Sequence, residues 1–348
     1  MEDYLQSPVG EGFFLPGEWE PHRRCWVQWP SRAERWRDLL PQAYAETAEI
    51  VRTIARFEPV YVIVRAEDMS QARFACGRND AIHFVEYPID DCWARDTAPM
   101  FLTNGVDKIA GIAWSFNGWG NAVHGFARDA ALATAVLKTE QIQSFSGDMV
   151  LEGGAVSTDG YGTLLVTEEC LLNEDRNPEL RRPEIEERLA LFLGARKVIW
   201  LGGGLGADPT QGQVSRVAVF AGRGTVLVSE AGDMGDLDRV TLDDNRAHLE
   251  LAKDAKGNSL TVTAVPLPSI PQLDMDGRRL ATNYLDYYVA NGAVIMPAYG
   301  DANDDVAAGI VGAAFPDRQL VQVSATVLAM GGGAIRRLTQ PEPSLDNI

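Results

Sequence analysis

The sequence holds only four cysteines, Cys25, Cys76, Cys92 and Cys170, with no CxxC pair. That removes the ligand set of a structural zinc site, and a disulfide framework does not suit a chain of 348 residues. Histidine is equally scarce: His22, His83, His124 and His248 lie far apart and show no metal spacing. No stretch approaches the roughly 20 apolar residues that span a bilayer. The start, MEDYLQSPVG, has neither a basic opening nor an apolar core, so no signal peptide is expected and the protein reads as soluble and cytoplasmic. Positive charge is also short. Lysine and arginine number 31 against 49 acids, a net charge of −18, which repels phosphate backbones and argues against nucleic acid. Nucleotide and hydrolase signatures are missing too. The run GGGLG at 202–206 is not GxGxxG and no helix is expected after it, and there is no Walker sequence or GxSxG elbow.

What is present is enough apolar sequence, 46%, for a large core. The period of that pattern alternates. Strands are expected at 25–29, 60–64, 82–87, 99–102, 109–116, 149–157, 162–167, 197–201, 215–220, 225–229, 260–265, 292–297 and 320–323. Helices are expected at 42–57, 128–137, 183–193, 245–254 and 304–314. This is a strand-strand-helix-strand module met about five times, with no linker between units, so residues 1–348 read as one α/β domain. Residues 341–348 are expected as a flexible tail.

Three segments carry chemistry. DDCWARDTAP at 90–99 packs three acids, an arginine and a thiol into ten residues. LEGG at 151–154 sets Glu152 at a strand end before two glycines, which suits a carboxylate facing a pocket where backbone comes close. MGGGAIRRLTQ at 330–340 is a glycine-rich loop that delivers Arg336 and Arg337.

Together with PGEWEPH at 16–22, FNGWG at 116–120, EECLLNEDRNP at 168–178, ANGA at 290–293, YGD at 299–301, NDD at 303–305 and FPDR at 315–318, these segments resemble agmatine deiminases. More broadly they resemble the bacterial-type peptidylarginine deiminase family, over roughly residues 13–340. The resemblance implies the pentein fold, a five-bladed β/α propeller of ββαβ-type units with pseudo-fivefold symmetry. It also implies a chemistry. Such enzymes attack a guanidine carbon with a cysteine thiolate, grip its nitrogens with two acids and move protons through a histidine. Asp96 and Glu152 match the gripping acids, and planar N–H forks suit paired carboxylates.

The resemblance breaks where the family's nucleophile loop reads Gly-Gly-Gly-Asn-Ile-His-Cys. Here Arg337 takes the cysteine position. Against the family's Asp-Glu-Thr-Asp-Gly-His-Val-Asp the chain has DPTQGQVS at 208–215, which puts Gln213 for histidine and Ser215 for aspartate. Arginine stays protonated and glutamine moves no protons, so the thiol route is closed. Carboxylates near Cys92 make it a poor replacement thiolate.

Three functions follow. The leading one is a divergent enzyme for a small guanidine, amidine or amine, using Asp96, Glu152 or Asp286 for acid–base work. Its substrate would meet Arg337, Arg336, Gln213, Ser215, Arg95, Trp93 and Trp119, with an anionic group for Arg337. The second is an inactive relative that binds a ligand or partner. The third, from family membership alone, is conversion of agmatine to N-carbamoylputrescine. No cofactor and no metal are expected. The partners are a small-molecule substrate, no nucleic acid and no membrane, with a homodimer as the candidate assembly. In the empty protein Arg337 is expected to lie on Asp96 or Glu152, since an unpaired buried guanidinium costs several kcal/mol.

Overall fold

The fold is taken from a computed structural model, which describes residues 7–232 and 236–345. Sixteen strands among them form five sheets. The strands are β1 His22–Gln28, β2 Val60–Val64, β3 Ile82–Glu86, β4 Met100–Thr103, β5 Ile109–Ser115, β6 Gln143–Val150, β7 Ser157–Thr158 and β8 Thr163–Thr167. They continue with β9 Lys197–Leu201, β10 Ala218–Gly222, β11 Thr225–Glu230, β12 Thr261–Pro266, β13 Tyr288–Ala290, β14 Ala293–Ala298, β15 Gln319–Ser324 and β16 Thr339–Pro343. Six helices of eight residues or more accompany them: α1 Leu40–Ile54, α2 Met69–Cys76, α3 Ala127–Thr139, α4 Arg182–Leu193, α5 Arg239–Leu251 and α6 Asp304–Ala314.

Each sheet repeats one pattern. An antiparallel pair is followed by a helical crossover to a parallel third strand: β4, β5, α3, β6; β7, β8, α4, β9; β10, β11, α5, β12; and β13, β14, α6, β15. The fifth sheet draws its antiparallel strand from far along the chain. Here β16 pairs with β1, β1 runs parallel to β2 across α1, and β2 parallel to β3 across α2. Parallel pairs need such crossovers, and the covering helices bury the middle strands, which accordingly read as apolar runs such as TLLVT in β8. Helix α1 buries Ala43, Thr47, Ile50, Val51 and Ile54 on one face, with proline in its first turn. Helix α4 opens on Pro183 and stops at Gly194, whose φ of 78° ends it in the left-handed region.

Several expectations change. The strand expected at 149–157 is broken after Val150 by a tight turn, Gly153–Ala155. Backbone crowds there: a Cβ on Gly153 would lie 2.3 Å from the Arg95 carbonyl, and one on Gly154 2.3 Å from Gln213 Oε1. The strand expected from 215 begins only at Ala218, because Val214–Arg216 closes a turn by donating the Val217 N–H to the Val214 carbonyl. The tail expected at 341–348 is also corrected. Pro341, Glu342 and Pro343 pair with Cys25, Arg24 and His22, and Glu342 is fully buried, held by Trp26 and Arg24. Residues 346–348 lie outside the described residues.

Candidate active site

Asp96 sits in the short helix Ala94–Thr97, where its N–H closes the turn onto the Trp93 carbonyl at 3.0 Å. Trp93 therefore stands at the helix entrance, with its ring tilted against Trp36. Trp119 comes from FNGWG, which folds into a left-handed turn: Trp119 has φ 58°, and Asn117 holds the turn by accepting the Gly120 N–H at 2.9 Å. A left-handed tryptophan costs on the order of 1–3 kcal/mol and persists where surrounding contacts fix it. Here its Nε1–H donates to Asp96 Oδ2 at 2.9 Å and its ring meets Phe116 edge-on.

Arg337 fills the space between these groups. Its Nε and Nη2 donate to Asp96 Oδ2 at 3.1 and 2.9 Å, and Nη1 donates to the Gly332 carbonyl. The guanidinium carbon lies 4.6 Å from the Trp93 ring centre and 5.0 Å from that of Trp119, within cation–π range of both. Asp96 Oδ1 is served by Gln213 Nε2 at 3.2 Å and the Gly154 N–H at 3.3 Å. Arg337 is 3% exposed and the Asp96 side chain 0%. A separate small void of about 10 Å³ touches Asp96 and is lined by Trp114, Phe116 and Leu151 rather than by Arg337 or Trp93; it is at or below the roughly 10–15 Å³ that one water requires. Of the residues named from the sequence, Asp96, Arg337, Trp93, Trp119 and Gln213 are brought together. Arg337 lies on Asp96, one of the two acids expected to hold it.

The other named residues go elsewhere. Glu152 is fully buried and takes Arg176 Nε on both oxygens at 3.0 and 3.2 Å. Burial lifts its pKa above the usual carboxyl range; Arg176 pulls it back and the nearby Asp96 charge adds to the rise. Asp286 accepts the backbone N–H groups of Ala334 at 2.8 Å and Arg337 at 3.3 Å, and so orients the short helix Ile335–Leu338. Arg336 and Arg95, expected beside a substrate, both turn to Glu18. Arg336 donates to its two oxygens at 2.7 and 2.6 Å and Arg95 to Oε1 at 3.0 Å. Burial opposes ionisation of Glu18, yet the two guanidinium groups hold its carboxyl below the usual range. Ser215 is buried in the turn Val214–Arg216; the bond to Asp96 comes from Gln213 instead.

The thiols are quiet. Cys92 is fully buried, and burial reinforced by Asp91 pushes its pKa well up. Burial raises Cys25 and Cys170 in the same way, and Cys76 to about 12. Sequence reasoning gave no role to Arg176, Glu18 or the Gly332 carbonyl. Arg176 and Glu18 lie inside the quoted motifs, which was the available signal. Among the described residues no cluster of three or more His, Cys, Asp or Glu could hold a metal ion, and no helix is long and apolar enough to cross a membrane.

In this five-sheet α/β fold the Arg337 guanidinium rests on Asp96 and lies over the rings of Trp93 and Trp119, and comparison with known proteins places the chain in a family. The agmatine deiminase of Enterococcus faecalis superposes with a TM-score of 0.93 at 32% identity, covering 98% of both chains. A putative agmatine deiminase of Legionella pneumophila (strain Paris) is 38% identical over 340 residues, 97% of each chain. The agmatine deiminase of Stutzerimonas stutzeri is 36% identical over 99% of each. DDAH from Pseudomonas aeruginosa shares the fold at a TM-score of 0.50 and 11% identity. Residues 14–343 match the Porphyromonas-type peptidyl-arginine deiminase family, and the chain belongs to it.

Proposed function

We propose that this chain is a non-hydrolysing member of its family, whose guanidinium pocket is occupied by its own Arg337 and whose ligand carries an anionic group that draws Arg337 off Asp96. The observation that carries this is the Arg337–Asp96 pair between Trp93 and Trp119. In the family resemblance a thiolate stands at the Arg337 position and a histidine at the Gln213 position. An always-charged guanidinium supplies no nucleophile, and an amide relays no proton. Acid–base chemistry by the remaining carboxylates finds no free base either: Asp96 is saturated, Glu152 is spent on Arg176, and Asp286 holds the loop backbone. On this reading the five sheets are the blades of a pentein propeller, and the glycine loop Gly331–Gly333 separates the filled pocket from a solvent-facing cavity of about 350 Å³.

A second reading, deimination of agmatine to N-carbamoylputrescine, is favoured by the 36% identity to an agmatine deiminase along 99% of both chains. One assay separates the two. Incubated with agmatine, the protein is expected to release no ammonia above a blank. Steady turnover that survives Cys92→Ala would reject the proposal in favour of the second reading.

A further inference from the structure

Between β12 and β13 the chain forms a hairpin over residues 268–281. Its two arms are joined by the Asp274 N–H on the Arg278 carbonyl and the Leu280 N–H on the Gln272 carbonyl, both at 2.8 Å. Asp274 Oδ1 accepts the N–H groups of Asp276 and Arg278 at 2.9 and 2.8 Å and shapes the tip, where Gly277 takes φ 78°. Internally the hairpin is complete. Outwardly it packs little, since its large apolar side chains Ile270, Leu273 and Met275 are all exposed. A two-stranded hairpin without an apolar face on a core is marginal by itself, so its position depends on its ties to the body.

Those ties weaken from base to tip. At the base, Asp301 accepts the N–H groups of Ser269 and Ile270 at 2.9 and 3.0 Å, and the buried Arg216 donates to the Ala281 carbonyl at 2.9 Å. At the stem, Arg279 reaches Asp236 and Asp238 at 3.0 and 2.8 Å. At the tip, Asp276 takes two Arg37 nitrogens at 3.1 Å, and both side chains are exposed. Exposed pairs of that kind contribute little and are screened by salt.

There is also room to move. The hairpin covers a cavity of about 350 Å³, which it shares with Arg35, Pro209 and the glycine loop Gly331–Gly333. A second cavity, of about 540 Å³, has the same stem residues, Arg279 to Thr282, on its wall. The stem therefore parts two spaces, each far larger than the roughly 10–15 Å³ one water needs.

We propose that residues 270–280 are a hinged flap. Its tip swings about the Arg279 stem, breaks the Arg37–Asp276 pair and opens the outer face of the glycine loop to molecules that the closed cavity does not admit. The ties involve neither Asp96 nor Arg337, so the flap stands apart from the proposed function.

The test uses the buried state of the four native cysteines, which leaves an introduced thiol as the reactive one. Thr282 is buried on the wall of both cavities. Thr282→Cys in the full chain, challenged with fluorescein maleimide, should label about two- to fivefold faster once Asp276→Ala removes the tip tie, the range an exposed ion pair supports. Raised sodium chloride should quicken labelling while the tie is intact and not in the double variant. The native thiols should stay unlabelled throughout, which separates flap opening from general loosening. Spin labels on Met275→Cys and Phe74→Cys give a second readout that does not need Thr282→Cys to fold. They should show two distances, the minor one growing with Asp276→Ala, whereas Phe74→Cys with Val306→Cys should show one. Equal labelling with and without the Asp276 carboxylate would overturn the proposal. So would native thiols reacting at the same pace, or a single Met275–Phe74 distance that the variant leaves unchanged.

Discussion

Replacing Arg337 with alanine removes both charged donors from Asp96 Oδ2 and empties the space between two tryptophan rings. Asp96 keeps Trp119 Nε1, Gln213 Nε2 and the Gly154 N–H, all uncharged donors, inside a site where its side chain is 0% exposed. Breaking a buried pair by deleting one partner costs about 3–5 kcal/mol, because the remaining charge is left without compensation. The variant should therefore unfold that much more easily in urea, with the denaturant slope unchanged. The pocket it opens has the shape and charge of the group removed. Agmatine or methylguanidine should enter it with a dissociation constant on the order of 1 mM, about 4 kcal/mol of binding. At 10 mM ligand, linkage then returns about 1.4 kcal/mol to the variant and none to the wild type. Urea melts of both proteins in 10 mM agmatine, against 10 mM sodium chloride, measure the difference. The reasoning fails if the variant matches the wild type in stability, or if agmatine stabilises both equally.

The Glu152–Arg176 pair gives a second check. Arg176→Met should cost about 3–5 kcal/mol, whereas Arg176→Met with Glu152→Gln should recover more than half of it, since the uncompensated charge has gone; strictly additive losses in urea melts would contradict this. Asp129 concerns pH. Burial, reinforced by Asp91 and Asp90, lifts its carboxyl to about 7 against the pull of the N–H groups of Asp90 and Asp91. The unfolded value is ~3.9, so the native state holds the proton more tightly. The stability from this group is complete below pH ~4 and is lost as pH rises through about 7. Carbon-detected NMR of the Asp129 carboxyl should show a midpoint near neutrality, and one at or below 4.5 would refute the assignment.

The parts of the site that were legible in the sequence are those whose residue types already state the chemistry. The acid of WARDTAP with its tryptophan, the tryptophan between the glycines of FNGWG, and the second arginine of GGGAIRR, set against the family resemblance, lead to Asp96, Trp93, Trp119 and Arg337, and the structure joins all four. Direction was not legible. Arg336 and Arg337 are adjacent in the chain, yet one helical step turns one to Glu18 and the other to Asp96. The partner of Glu152 is 24 residues away and approaches through a loop with no periodic pattern. The alternating units were readable from hydrophobic period, and expected strands such as 60–64 and 197–201 match β2 and β9. Strand β16 was not readable: two prolines in TQPEP argue against a strand until an edge position beside β1 admits them.

That edge position bears on how the chain reaches its fold during synthesis. Trp26 and Glu342, joined across β1 and β16 by a hydrogen bond of 2.8 Å, are 316 residues apart. A ribosome adds about 5–20 residues per second, so roughly 15–60 s pass between emergence of β1 and of the strand that covers its open side. Throughout that interval β1 can pair with β2 but presents a bare ladder of N–H and C=O groups along 22–27 to any other nascent chain. The loop carrying Arg337 directly precedes β16 and emerges with it, so the guanidinium cage and the closing sheet complete together.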